Sequence, residues 1–345
     1  MKLMVDDAVW GFNKIFSEFG EVVTLPGRDI SRESLLDCDM LIVRSRTQVN
    51  QELLEGTKIS FVGSTVAGLD HIDESYLYKN NIAFSSAQGC NANAVAEYVI
   101  SALANLAHDY CFNLTEKSLG IIGVGNVGRR LDFKARQLGM TTLLNDPPRE
   151  EKEGADGYVS LENALSADIV TFHTPLTNNG PYPTHNLLGS QNFNLITEDT
   201  ILINAARGGI IDEAIWETIN TKANIIDCWE NEPSINRTLQ KSAYWSTPHI
   251  AGHSIDAKFM GSFMIYKELC KFTQKPMNSE VETLINRESM VIEEKTLHAT
   301  LNSIYSFKDD DEVISDISKF EDYRRNYPER FEWHHFKTQF DIPRK

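Results

Sequence analysis

The stretch SLGIIGVGNVG at Ser118–Gly128 decides the fold. Its apolar run, Ser118–Val124, reads as a strand and leads directly into glycines spaced GxGxxG, at Gly123, Gly125 and Gly128. Arg129–Leu138 then continues as a helix, and Thr141–Asn145 as a second strand ending at Asp146-Pro147-Pro148. In this setting Gly123 permits a tight turn. Gly125, with Asn126 and Val127, brings backbone N–H groups toward a pyrophosphate, and Gly128 lets helix and strand pack closely. Asp146 lies 18 residues beyond Gly128, where a carboxylate accepts hydrogen bonds from ribose hydroxyls. Its charge opposes a 2′-phosphate, so NAD is expected over NADP. Arg149 nearby keeps NADP open.

Further strands follow at Ile169–His173, Thr200–Ala205, Asn224–Asp227 and just before Pro248, the rhythm of a doubly wound nucleotide domain over 94–253. On the N-terminal side, Lys2–Val5, Glu21–Leu25, Met40–Arg44 and Ile59–Val62 read as strands, with Ala8–Phe19 as a helix. Strands alternating with helices imply a parallel sheet. Residues 1–93 therefore form a first α/β domain, completed by a returning helix within 254–275, while the helix Asn93–Ala107 leads out of it. Residues 280–345 are charge-rich, but Leu297, Leu301, Ile304, Ile314, Ile317 and Phe320 suit a small interaction domain.

At 345 residues, two or three domains are expected, and 41% hydrophobic with 24% charged residues is ordinary for a globular chain. The net charge of −16 disfavours nucleic acid and anionic membranes, so an anionic substrate needs a local basic pocket. The longest apolar stretch, Val95–Ala107, contains Glu97 and is too short to span a bilayer, so it reads as a buried helix. No secretory signal is evident at the N-terminus. Five cysteines without CxxC spacing fit a reducing cytoplasm.

Three polar residues follow strand-like runs in the second half: Arg207 in NAARGG, Glu232 in DCWENEP and His249 in TPHIAGH. An arginine grips a carboxylate with two parallel hydrogen bonds. A histidine takes a proton from a hydroxyl near neutral pH, and a carboxylate fixes its tautomer and stabilises its charged form. Beside a nicotinamide, that set oxidises a 2-hydroxy acid. No metal is expected at His249 and His253, since Gly252 lies between them, Pro248 precedes them and HExxH is absent.

GVGNVGRRL, DPPR, FHTPL, INAARG, DCWENEP and PHIAGHS together resemble the D-isomer-specific 2-hydroxyacid dehydrogenase family. MKLMVDDA, VRS at Val43–Ser45, VGSTVAGLDHID at Val62–Asp73, GCNANAVAEYV and GPYPTHNL narrow the likeness to a branch acting on a phosphorylated 2-hydroxy acid. The resemblance covers nearly the whole chain. It implies an α/β fold of two doubly wound parallel sheets, a flavodoxin-like substrate domain and a Rossmann NAD domain, with a small C-terminal α+β dimerisation domain at 280–345 and a homodimer. It implies Arg207 and Glu232 as active-site residues and His249 as the acid/base. It also puts Thr174, Ala205, Ala206, Arg207, Asp227 and Gly252 on the nicotinamide side of the cofactor, and Ser45, Val66 and His253 at substrate positions. Three residues depart from the family pattern: Val66 replaces a threonine, His253 a tyrosine and Ala206 a cysteine. Ser64 or Thr65 is the candidate to supply the hydroxyl that Val66 lacks. Arg44, Arg46 and Ser45 are candidates for a substrate phosphate, with a solvent-facing Arg46 as the alternative. Two other functions compete: a phosphoglycerate or glyoxylate enzyme of the same family, and an NAD-sensing binding protein without catalysis.

Overall fold

The computed structural model describes residues 1–344 and divides the chain into two compact units, Met1–Asn91 with Ser254–Glu288, and Ala92–His253 with Ser289–Lys345. In the first unit the strands are β1 (Lys2–Asp6), β2 (Glu21–Leu25), β3 (Met40–Val43), β4 (Phe61–Ser64) and β5 (Ala83–Ser86). They form one parallel sheet in the order β2-β1-β3-β4-β5. Met40–Val43 is buried throughout, which explains why MLIV reads as an unbroken apolar run, and Phe61–Ser64, read from the sequence as Ile59–Val62, is buried as well. The helix Ile255–Thr273 belongs to this unit, with Ile265, Tyr266 and Leu269 in its core. A Cβ on Gly261 would lie 2.2 Å from the Thr65 carbonyl oxygen, so only glycine lets this helix approach the loop after β4.

The second unit carries β6 (Ser118–Ile122), β7 (Thr141–Asn145), β8 (Ile169–Phe172), β9 (Ile201–Asn204), β10 (Ala223–Ile226) and β11 (Trp245–Ser246). Their order is β11-β10-β9-β8-β6-β7, all parallel. The order reverses between β6 and β8, and the glycine-rich turn leaves β6 at that reversal, where open α/β sheets bind their ligands. The two-sheet α/β class read from the sequence is therefore the class observed.

Two local readings differ from the structure. The helix expected at Ala8–Phe19 begins only at Phe12, because Gly11 takes a left-handed conformation (φ +64°) and residues 7–11 form turns. Strand β5 carries no strand signal in the sequence, because AFSS is short and half polar. The tail, from Ser289 on, belongs to the second unit. Leu301, Phe307, Tyr327, Trp333 and Ile342 join a core with the helix Ala92–Asp109. It adds a two-stranded parallel sheet, β12 (Met290–Ile292) with β13 (Phe336–Thr338).

A buried polar cluster fastens this tail. Lys134 is fully buried, with Nζ 3.7 Å from Glu97, 2.8 Å from the Pro343 carbonyl oxygen and 4.7 Å above the Trp333 ring. Glu97 also accepts from the Trp333 N–H at 3.1 Å and from Asn93 at 2.8 Å, while Asn93 donates to Glu332 at 2.6 Å. Burial, with the nearby Glu332 charge adding to it, pushes the Glu97 carboxyl up to about 8. Its folded affinity for a proton thus exceeds that of an unfolded carboxyl, and its stabilising contribution is complete below about pH 4.5 and lost as pH rises through 8. The urea midpoint should fall between pH 5 and pH 8.5, and Glu97→Gln should flatten that fall. An identical pH dependence in the variant would contradict this placement of the proton.

Candidate active site and coenzyme cleft

The cofactor turn is built as GxGxxG requires. Gly123 has φ +89°, a conformation side chains resist. A Cβ on Gly128 would lie 2.2 Å from the Gly123 carbonyl oxygen, whereas a Cβ on Gly125 would point into open space. Gly125 is the N-cap of the helix Asn126–Gln137 and offers no side-chain cap, so the first-turn amides face outward for an anion. Asp146 directly follows β7 and caps the next helix, accepting from the Arg149 N–H at 3.2 Å and from the Val124 N–H at 2.8 Å. Arg149 is committed within the protein, to the Val124 carbonyl oxygen at 3.2 Å and Glu153 at 2.9 Å, which weakens it as a site for a 2′-phosphate. After β8, the Thr174 hydroxyl is buried without a protein partner, as suits a group reserved for a ligand. These features fit a bound dinucleotide.

The polar trio sits at the carboxyl ends of three neighbouring strands. Arg207 follows β9, Glu232 lies on the loop after β10, and His249 on the loop after β11. Ala205 and Ala206 are buried at the end of β9. Asn204 ties the first two loops together, donating to the Arg207 carbonyl oxygen at 2.9 Å and that of Cys228 at 3.3 Å. Gly208 packs so tightly on the second loop that a Cβ would lie 2.0 Å from the Trp229 carbonyl oxygen.

Asp227, 1% exposed, shapes the third loop. Its carboxylate accepts from the Ile250 N–H at 2.7 Å, the Ala251 N–H at 3.0 Å and the Thr247 hydroxyl at 2.7 Å. The Tyr98 hydroxyl meets Thr247 at 2.7 Å, and the Trp229 indole donates to the Thr247 carbonyl oxygen at 3.0 Å. His249 is thereby held at φ +56°, an uncommon conformation for a non-glycine residue at a candidate site. Burial raises the Asp227 carboxyl, while His249 and the three hydrogen-bond donors oppose the rise.

His249 Nδ1 lies 2.9 Å and 3.0 Å from the two Glu232 carboxylate oxygens. Burial alone would raise the Glu232 carboxyl, but His249, Arg324 and the Trp229 N–H (3.0 Å) together hold it below the usual range. An ionised carboxylate can only accept. Nδ1 therefore carries the proton, and Nε2 is left as the base. Cys228 Sγ lies within 4.8 Å of these ligand atoms, and burial pushes its thiol well above the ordinary value. His173, 2.9 Å from the Thr171 hydroxyl, is lowered to about 3 by burial and stays neutral.

The substrate-position residues are distributed over both units. His253 packs edge-on to Tyr327 at 5.6 Å in the second unit. Ser45 is exposed after β3 and Val66 half-buried after β4, both at the carboxyl edge of the first sheet. The hydroxyls expected to stand in for Val66 are turned inward. Ser64 meets His71 at 3.3 Å and Thr65 donates to the Val43 carbonyl oxygen at 3.2 Å, because both residues are buried beside the strands. Arg44 donates to the Ala8 carbonyl oxygen at 3.3 Å. Sequence reasoning missed Arg324 on Glu232 and the Tyr98–Thr247–Asp227 chain, neither of which has a local motif.

The profile of the D-isomer specific 2-hydroxyacid dehydrogenase NAD-binding domain matches residues 95–251. An erythronate-4-phosphate dehydrogenase from Ruthia magnifica subsp. Calyptogena magnifica is 56% identical over 343 residues, covering 99% of both chains. A protein of the same name from Hydrogenovibrio crunogenus is 51% identical, covering 96% of this chain and 92% of that one. Among solved structures, NAD-bound 3-phosphoglycerate dehydrogenase from Entamoeba histolytica shares the fold with a TM-score of 0.64 at 24% identity, covering 83% of this chain and 99% of that one. With such identity along nearly its entire length, the chain belongs to the D-isomer specific 2-hydroxyacid dehydrogenase family, in its erythronate-4-phosphate dehydrogenase branch, and is an NAD-dependent oxidoreductase.

Proposed function

We propose that this chain oxidises 4-phospho-D-erythronate at C2, giving (R)-3-hydroxy-2-oxo-4-phosphobutanoate, in pyridoxal 5′-phosphate (vitamin B6) biosynthesis. The observation that carries the reading is the Glu232 carboxylate on Nδ1 of His249, at 2.9 Å. It orients a base whose free nitrogen is Nε2. That nitrogen takes the proton of the C2 hydroxyl. Arg207 grips the substrate carboxylate with its guanidinium and stabilises the charge that builds on the C2 oxygen. NAD, when bound, supplies the hydride acceptor. The turn Gly123–Gly128 with Asp146 would hold its pyrophosphate and adenosine ribose. Thr174, Ala205, Ala206, Asp227 and Gly252 would lie along the nicotinamide side. A proton relay of this kind has no use in an NAD-sensing binder, which favours turnover.

Ser45, with Arg44 and Arg46, is the natural cradle for the 4-phosphate, a local positive site in a chain of net charge −16. Val66 and His253 complete the substrate positions. The tail is read as the homodimerisation element. With five free cysteines the protein is read as cytoplasmic. No helix among the described residues is long and apolar enough to cross a membrane.

His249→Asn should cut kcat by roughly 10²–10⁴-fold while leaving NAD binding nearly unchanged in a fluorescence titration. Full activity in that variant would remove His249 from the mechanism. Ser45→Ala combined with Arg46→Ala should raise KM for 4-phosphoerythronate about tenfold or more and hardly affect unphosphorylated erythronate. Equal effects on both acids would move the phosphate site elsewhere.

A further inference from the structure

The tail sets a guanidinium on the acid/base pair. Arg324, in the helix Phe320–Arg325, donates through Nη1 to Glu232 Oε2 at 3.4 Å, the same oxygen that lies 2.9 Å from His249 Nδ1. Arg324 and Glu232 side chains are only 17% and 18% exposed, so water screens the pair weakly. The surrounding tail is anchored on both sides of this contact. Phe320 is fully buried, with its ring 5.8 Å from the Arg324 guanidinium. Asp310, itself buried, accepts from the hydroxyls of Tyr305 at 2.6 Å, Tyr323 at 2.6 Å and Tyr327 at 2.8 Å. Arg330, buried over the Tyr305 ring at 4.8 Å, donates to the carbonyl oxygen of Ala251, next but one after His249. Ser246, on β11 just before the His249 loop, donates to Asp311 at 2.7 Å.

We infer that Arg324 is a positioning residue for the reaction: it holds the Glu232 carboxylate against His249 Nδ1, so that docking of the tail sets the readiness of the base. The inference rests on His249 being the acid/base. It adds a component that the three-residue set does not contain.

The sign of its effect follows from the charges around the pair. Facing it are Arg324 from the tail and Cys228 from its own loop, with Arg207, from the loop after β9, in turn close to Cys228. Glu213, which accepts from the Glu230 N–H at 2.7 Å, and Asp227 beneath His249 complete the set. Arg324 opposes addition of a proton to the Glu232–His249 pair, because that proton brings a second positive charge beside it. Removing the guanidinium lets the pair keep its proton to higher pH, where the base is then missing.

The test is the pH dependence of kcat/KM for NAD reduction by 4-phosphoerythronate in the native enzyme, Arg324→Gln, Arg324→Met and Arg324→Lys. Methionine retains packing against Phe320 without charge, so a folded neutral variant is available should glutamine unfold the tail. The neutral variants should move the acidic limb upward by on the order of half a unit to one unit. They should lower kcat at neutral pH about 3- to 10-fold with KM for NAD little changed. Arg324→Lys should return the limb to near its native position. A folded neutral variant whose limb does not move overturns the inference, as does a lysine variant whose limb stays displaced. The reading beneath it fails separately, if His249→Asn retains full activity.

Discussion

Both oxygens of Glu232 reach Nδ1 of His249, and the chemistry of this protein depends on that contact. The carboxylate is largely shielded from water yet stays ionised, since His249, Arg324 and a backbone N–H outweigh the cost of burial. An ionised acceptor leaves one tautomer for the ring and directs the unprotonated nitrogen outward. Asp227 does a related job one layer below. By accepting from two successive N–H groups after His249 and from Thr247, it forces the loop into the conformation that presents the imidazole. One carboxylate sets the proton, the other the backbone.

The sheets make this arrangement possible. β9, β10 and β11 are parallel neighbours, so the loops leaving their carboxyl ends emerge on one edge and can be tied together by Asn204 and the close approach of Gly208. The glycine turn leaves β6 along the same edge of the sheet. In the first unit, Ser45 and Val66 likewise follow adjacent parallel strands. Placing ligand groups at strand ends is the general habit of open parallel sheets, because the strands fix the positions while the loops vary.

Much of this was legible in the sequence, for a physical reason. Parallel strands buried on both faces need nearly continuous apolar runs, so MLIV, ILIN and IVTF announce themselves. Glycine at Gly123 and Gly128 is required by a positive φ and a close approach, and the spacing shows through. Strand β5 did not show, since AFSS has no apolar run to read. Asp227 was legible as a site position but not as the clamp of a loop, a role that depends on which N–H groups the fold brings to it. Arg324 was illegible altogether. It contacts Glu232 across 92 residues of chain, and its local sequence, DYRRN, looks like any solvated helix end. The contacts of the tail were equally hidden, since its apolar residues do not say what they pack against. Phe307, Trp333 and Ile342 complete the core built on the helix Ala92–Asp109, and the Glu97–Lys134 cluster ties the last residues to it.

The Glu232 carboxylate dictates the His249 tautomer. Nitrogen-15 NMR of the histidine-labelled protein tests it directly, with the His249 resonances assigned by comparison with His249→Asn. Above the pH at which the pair loses its proton, the spectrum should show a protonated Nδ1 and a bare Nε2. A proton resident on Nε2 with a bare Nδ1 would contradict it.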